Sequence, residues 1–135
     1  MAAITTPKLH ESTDSLLRLA MRADGILTGL AGVAAIPLAG WLAEISGTTT
    51  TFEYAMAAFF IAYGVVVLGL AALPSVRRAG MAVIIANVVY AVAAVVLVLV
   101  DVFPLTTIGV VLTLATGAYT LVFAELQYQG WRRIK

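Results

Sequence analysis

The chain contains no cysteine. That excludes disulfides, thiolate metal sites, thiol nucleophiles and cysteine acylation. Its single histidine, His10, stands in a polar stretch near the N-terminus. A bis-histidine haem site, or a metal site built on several histidines, would need copies from other chains. No cofactor and no metal is therefore expected. Charge is scarce as well: Asp, Glu, Lys and Arg make up 11% of the chain, against about 25% in an ordinary soluble domain. The formal net charge is +1, and basic residues do not alternate with aromatic ones, so nucleic-acid binding has no support. No acid/base pair or nucleophile–base pair is visible, and the expectation is a protein that is not an enzyme.

What is abundant is apolar surface. Of 135 residues 62% are hydrophobic, and the mean hydropathy is +1.04. A water-soluble domain of this size buries only part of its apolar surface, so lipid must be the solvent for much of the chain. The length fits one compact unit. Four apolar runs stand out, at 26–43, 55–73, 81–100 and 105–124, all uncharged throughout. Runs of about 18–20 residues rising about 1.5 Å each match a hydrocarbon core about 30 Å thick. Pro37 falls inside the first run, where it removes one backbone donor, a loss that membrane helices tolerate when neighbours satisfy the freed groups.

Residues 1–15 read as a flexible leader, ending in the Ser and Thr residues that cap helices, with a helix starting near Ser15. Mixed charges and a late apolar run argue against a cleaved signal peptide. Residues 16–135 form the membrane domain. Glu11, Asp14, Arg18 and Arg22 share one face of its lead-in. Short links at 44–54, 74–80 and 101–104 force sequence neighbours to lie side by side. The expected fold is all-α: a four-transmembrane-helix antiparallel bundle, up-down-up-down.

Lysine and arginine are fully segregated. Lys8, Arg18 and Arg22 precede the first span, Arg77 and Arg78 follow the second, and Arg132, Arg133 and Lys135 follow the fourth. The opposite side carries only Glu44, Glu53 and Asp101. The positive-inside rule then puts both termini in the cytoplasm, and the location is the cell membrane. Trp41, Phe52, Tyr54 and Phe103 mark the outer interface, Tyr128 and Trp131 the inner one.

Two constellations are candidates for a role. Thr106, Gly109, Thr113, Gly117, Thr120 and Ala124 make a stripe of small residues on the fourth span, echoed by Gly25, Gly29 and Gly32 on the first. Small residues let helices approach closely in lipid, either inside one bundle or against another subunit. The second is a polar cluster near the inner surface: Asp24, Asn87, Glu125, Arg22 and Arg78. On the third span Gly80, Val83, Asn87, Tyr90, Ala91 and Ala94 share a face opposite Ile85, Val89, Val92 and Val96, so Asn87 should face the interior and find a partner. Asp24 and Glu125 sit close in sequence to arginines, and an ion-pair lock is one reading; handling of protons or substrate is the other.

The segment LRLAMRAD at 17–24 and the tail FAELQYQGWRR at 123–133 resemble the ends of small uncharacterised bacterial four-helix integral membrane proteins. The resemblance runs over most of the chain from Leu16 and implies fold and location only.

A membrane enzyme or a quinone- or haem-binding subunit has no acid/base pair, nucleophile–base pair or metal set behind it, and two other functions are weighed. One is a non-catalytic accessory subunit or scaffold acting through helix–helix association, with the bilayer, itself or another membrane protein as partner. The other is a small proton-coupled transporter or exporter working as a homo-oligomer. Small multidrug exporters resemble this chain in size and number of crossings. They carry a membrane-embedded glutamate in the first helix, whereas here no acid lies between Asp24 and Glu44.

Overall fold

A computed structural model describes the backbone of residues 2–134 and the side chains of residues 13–134. The side chains of Lys8, His10 and Glu11, and the whole of Lys135, lie outside the described residues. The fold is all-helical, with α1 at Ala2–Ser46, α2 at Thr50–Ala71, α3 at Arg77–Leu99 and α4 at Thr107–Arg132. Each of the four is long and apolar enough to cross a membrane, and the chain is a multi-pass membrane protein.

Helix boundaries differ from the sequence reading at two places. α1 is already helical before Ser15, where the leader was to end. Asp14 pairs within it with Arg18 at 3.0 Å, an i,i+4 pair that supports helix over the lead-in. α4 continues past residue 124 to Arg132. Thr49 and Thr106 start α2 and α4 as N-caps, their hydroxyls accepting from the backbone N–H of Phe52 and Gly109.

Burial is inverted relative to a soluble protein. The surface is Val, Leu and Ile, while the interior is rich in Ala and Gly and holds Asp24, Thr28, Asn87, Thr120 and Gln127. Without a hydrophobic drive between helices in lipid, close packing of small residues has to bring them together. α1 and α2 meet through glycine: a Cβ on Gly64 would lie 2.5 Å from the Gly25 carbonyl oxygen, and one on Gly32 2.7 Å from that of Ala57. α4 meets α1 at both ends, Gly109 against Ser46 and Gly130 against Leu17, and meets α3 where Gly117 touches Ala91 and Ala94. The small-residue stripe is thus internal packing, with Gly109, Gly117, Thr120 and Ala124 all buried and the Thr113 hydroxyl donating to the Gly109 carbonyl.

One expected neighbour relation is not met. α2 and α3 follow each other in sequence through a short link, yet they hardly touch. Bulky rings explain it: Phe59, Phe60 and Tyr63 of α2 stand opposite Tyr90 of α3, where the other seams have glycine and alanine. A cleft is left between them.

At the arginine-bearing end, Leu17, Met21, Val67, Ala71, Val76 and Val83 form an apolar plug, flanked by Trp131 and Ile134. Arg18 closes it by donating to the carbonyls of Ala71, Leu73 and Pro74, which lie at and beyond the end of α2. The Trp131 indole N–H donates to the Arg77 carbonyl, and the Arg77 guanidinium lies 4.6 Å from the Trp131 ring centroid.

Candidate functional site

Immediately beyond the plug, every helix contributes a polar side chain to one point. α1 supplies Asp24 and Thr28, four residues apart and so on one face. Tyr63 comes from α2, Asn87 from α3, and Tyr119 and Gln127 from α4. The Gly25–Gly64 approach makes the meeting possible, because Gly25 adjoins Asp24 and Gly64 adjoins Tyr63.

Asp24 is fully buried. Its Oδ2 accepts from the Tyr63 hydroxyl at 2.8 Å, Asn87 Nδ2 at 3.0 Å and Gln127 Nε2 at 2.9 Å. Its Oδ1 accepts from the Thr28 hydroxyl at 3.0 Å. Asn87 Nδ2 also donates to Gln127 Oε1 at 2.9 Å, and Thr28 and Tyr119 join through their hydroxyls at 3.0 Å. The Tyr63 hydroxyl lies 3.1 Å from Asn87 Oδ1 as well, so its single proton serves one of two acceptors.

The ring is made wholly of neutral donors. Among the described residues the only ion pair is Asp14 with Arg18. Arg18 is six residues before Asp24, about 9 Å along the helix axis. The ion-pair reading gave Asp24 an arginine as partner, and the structure corrects it: its partners are Thr28, Tyr63, Asn87 and Gln127, while Arg22 and Arg78 are exposed. Glu125 does not join either; it is exposed and accepts from Gln129 at 2.7 Å. Of the five candidates, Asp24 and Asn87 come together. Among the described residues no three His, Cys, Asp or Glu side chains gather as a metal site would require.

Sequence reasoning missed Thr28, Tyr63, Tyr119 and Gln127. Gln127 had a signal, since it extends the buried series Gly117, Thr120, Ala124 at helical spacing. Tyr128, the next residue, is exposed.

On the side away from the plug, the ring opens on a chamber of about 150 Å³. Thr28, Tyr63, Asn87 and Tyr119 form its floor, and Phe59, Phe60, Tyr90 and Thr116 its collar. Leu27 and Ala31 of α1, Phe59 of α2 and Ala86 of α3 line it and are exposed, so the chamber is open at its side. Beyond the collar, which both share, lies a second chamber of about 510 Å³ that reaches Glu53 and Thr48. The Tyr90 hydroxyl donates to Thr116 Oγ1 at 3.2 Å across the collar, and the Tyr90 and Phe59 rings stack with centroids 6.4 Å apart. Among the described residues no lysine or arginine lines either chamber.

A buried carboxylate held by donors from four helices, beside a chamber, defines a multi-pass membrane protein with a polar centre inside its bundle. No protein-family model, curated protein or solved structure matches the chain.

Proposed function

We propose that this is a four-span, up-down-up-down protein of the cell membrane, both termini cytoplasmic, that binds and carries a small molecule within its own bundle and has no catalytic turnover. One observation carries the reading. Asp24 is buried with no cation paired to it among the described residues, behind the Thr28, Tyr63 and Asn87 floor of a chamber that opens towards lipid. An ionisable group inside a membrane domain is costly unless it works, and a concave apolar site with a few convergent polar groups is the usual form of a ligand site. The segregation of lysine and arginine supports the orientation.

The scaffold reading leaned on the α4 stripe as a face for a partner, and that stripe is consumed inside the bundle. A different surface supports self-association. Ala55, Ala58 and Ala62 are exposed on one side of α2, and Gly69 on the same side has open space around it. This favours a homo-oligomer of carriers, and it is the one observation that keeps an accessory role as the second reading.

The test is native mass spectrometry of the protein purified in mild detergent, compared with Ala86→Phe. Phenylalanine at 86 fills the chamber from its open side without touching a packed seam. Small-molecule adducts on the wild type that the variant lacks are expected. Identical adducts on both, or lipid alone on both, would remove the carrier reading and leave the accessory one.

A further inference from the structure

The hydrogen atoms of the inner chamber show what its ligand must bring. Thr28 gives its hydroxyl proton to Asp24, and Tyr63 gives its own to Asp24 or to Asn87 Oδ1, inside the ring in either case. Asn87 divides its two between Asp24 and Gln127. Because the Thr28 proton is spent, Tyr119 is the donor in its bond with Thr28. Tyr90 donates to Thr116, Thr116 to the Thr113 carbonyl, and Thr120 to the Gly117 carbonyl. Every O–H and N–H on the chamber wall is thus committed inside the protein. What remains towards the chamber is oxygen lone pairs, since each hydroxyl and amide oxygen can accept again. The Asp24 carboxylate is bonded to the wall's Thr28, Tyr63 and Asn87 from behind, aromatic rings with electron-rich faces stand around, and among the described residues no basic side chain lines the wall.

From this accounting we infer that the inner chamber is a site for a protonated primary or secondary amine carried on an apolar body of about one ring. The amine supplies both the positive charge and the N–H donors that the wall lacks. A hydroxyl donor would bring no charge, and a quaternary ammonium no N–H. The volume of about 150 Å³ equals that of a cavity known to admit benzene. A larger apolar body extends past the Tyr90–Thr116 collar into the outer chamber. The inference rests on the carrier reading and specifies its ligand.

Calorimetric titration of the protein in lipid nanodiscs, with empty nanodiscs subtracted, tests it. The probes are benzylammonium, benzyltrimethylammonium and benzyl alcohol. Benzylammonium should bind about tenfold or more tighter than either of the others, as expected where charge-assisted hydrogen bonds decide. Asp24→Asn should weaken benzylammonium by a similar factor and change benzyl alcohol binding by far less. Ala86→Phe, or Ala31→Phe on α1 should the first variant not fold, should abolish binding of all three. Benzyl alcohol binding as tightly as benzylammonium, and lost in the plugged variants, would overturn the amine assignment while leaving the carrier reading intact. Equal binding of benzyltrimethylammonium would overturn the donor accounting. Binding of no probe, or binding indifferent to both plugs, would overturn the site altogether.

Discussion

Replacing Asp24 by asparagine and by leucine isolates the ring from the charge it holds. Both variants remove the buried carboxylate, so the cost of burying it cancels in their difference. Asparagine keeps an oxygen for the Tyr63, Asn87 and Gln127 donors, and the Thr28 hydroxyl turns to accept from the new amide. Leucine keeps nothing. Tyr63 then falls back on Asn87 Oδ1, 3.1 Å away, and Thr28 on a carbonyl one turn earlier in its own helix. One N–H of Asn87 and one of Gln127 stay without a partner. At about 1–3 kcal/mol for each buried orphan the difference is about 2–6 kcal/mol. Hydrogen bonds measured inside membrane proteins average nearer 0.6 kcal/mol, roughly, which favours the lower end. Reversible unfolding in mixed micelles, followed by helical circular dichroism, should therefore find Asp24→Leu less stable than Asp24→Asn by about 2 kcal/mol or more. A difference under about 0.5 kcal/mol would refute the four-donor ring, because it would mean that no donor depends on position 24. An arginine counterion, the partner read from sequence, gives a different pattern: Asp24→Asn would itself strand a charge and be nearly as damaging as leucine.

Gly64→Ala should cost about 1–3 kcal/mol in the same assay, since its Cβ would meet the Gly25 backbone at 2.5 Å, whereas Gly40→Ala, with open space, should cost nothing or stabilise α1. Gly117→Leu should lower the folded fraction of the monomer, as leucine would collide with Ala91 and Ala94; a folded variant that had merely lost a partner would contradict internal packing. Reporter fusions after Lys135 and beside Ser75 should report the cytoplasm, and fusions at Thr49 and Phe103 the exterior; a cytoplasmic signal at Thr49 would break the four-span topology.

The helices were legible because lipid imposes length and apolarity on each crossing, and α3 was legible to its faces: Gly80, Val83, Asn87, Ala91 and Ala94 are buried, while Ile85, Val89, Val92 and Val96 are exposed. Asn87 and Asp24 were recognisable one at a time, as polar groups that lipid would not accept. Their convergence was not. It depends on how closely α1 approaches α2, and that is set by the pairing of Gly25 with Gly64 across the sequence, which no local pattern announces. The arginine partner failed for a related reason. Closeness in sequence placed Arg22 near Asp24, but two residues are more than half a turn, so Asp24 is buried while Arg22 is exposed on another side of α1. The α2–α3 cleft was hidden too, because link length limits which helices can be neighbours and says nothing of the rings that hold two of them apart.

Infrared difference spectroscopy with carbon-13 aspartate tests most directly whether the chamber and the Asp24 ring are one site. The chain has three aspartates, Asp14, Asp24 and Asp101, and Asp24→Asn assigns the signal. Adding benzylammonium to the protein in nanodiscs should produce a label-sensitive carboxylate band that is absent from both Asp24→Asn and Ala86→Phe. A spectrum that saturates with ligand yet shows no label-sensitive band in the wild type would contradict the account, since the ligand would then bind without reaching the carboxylate around which the four helices are organised.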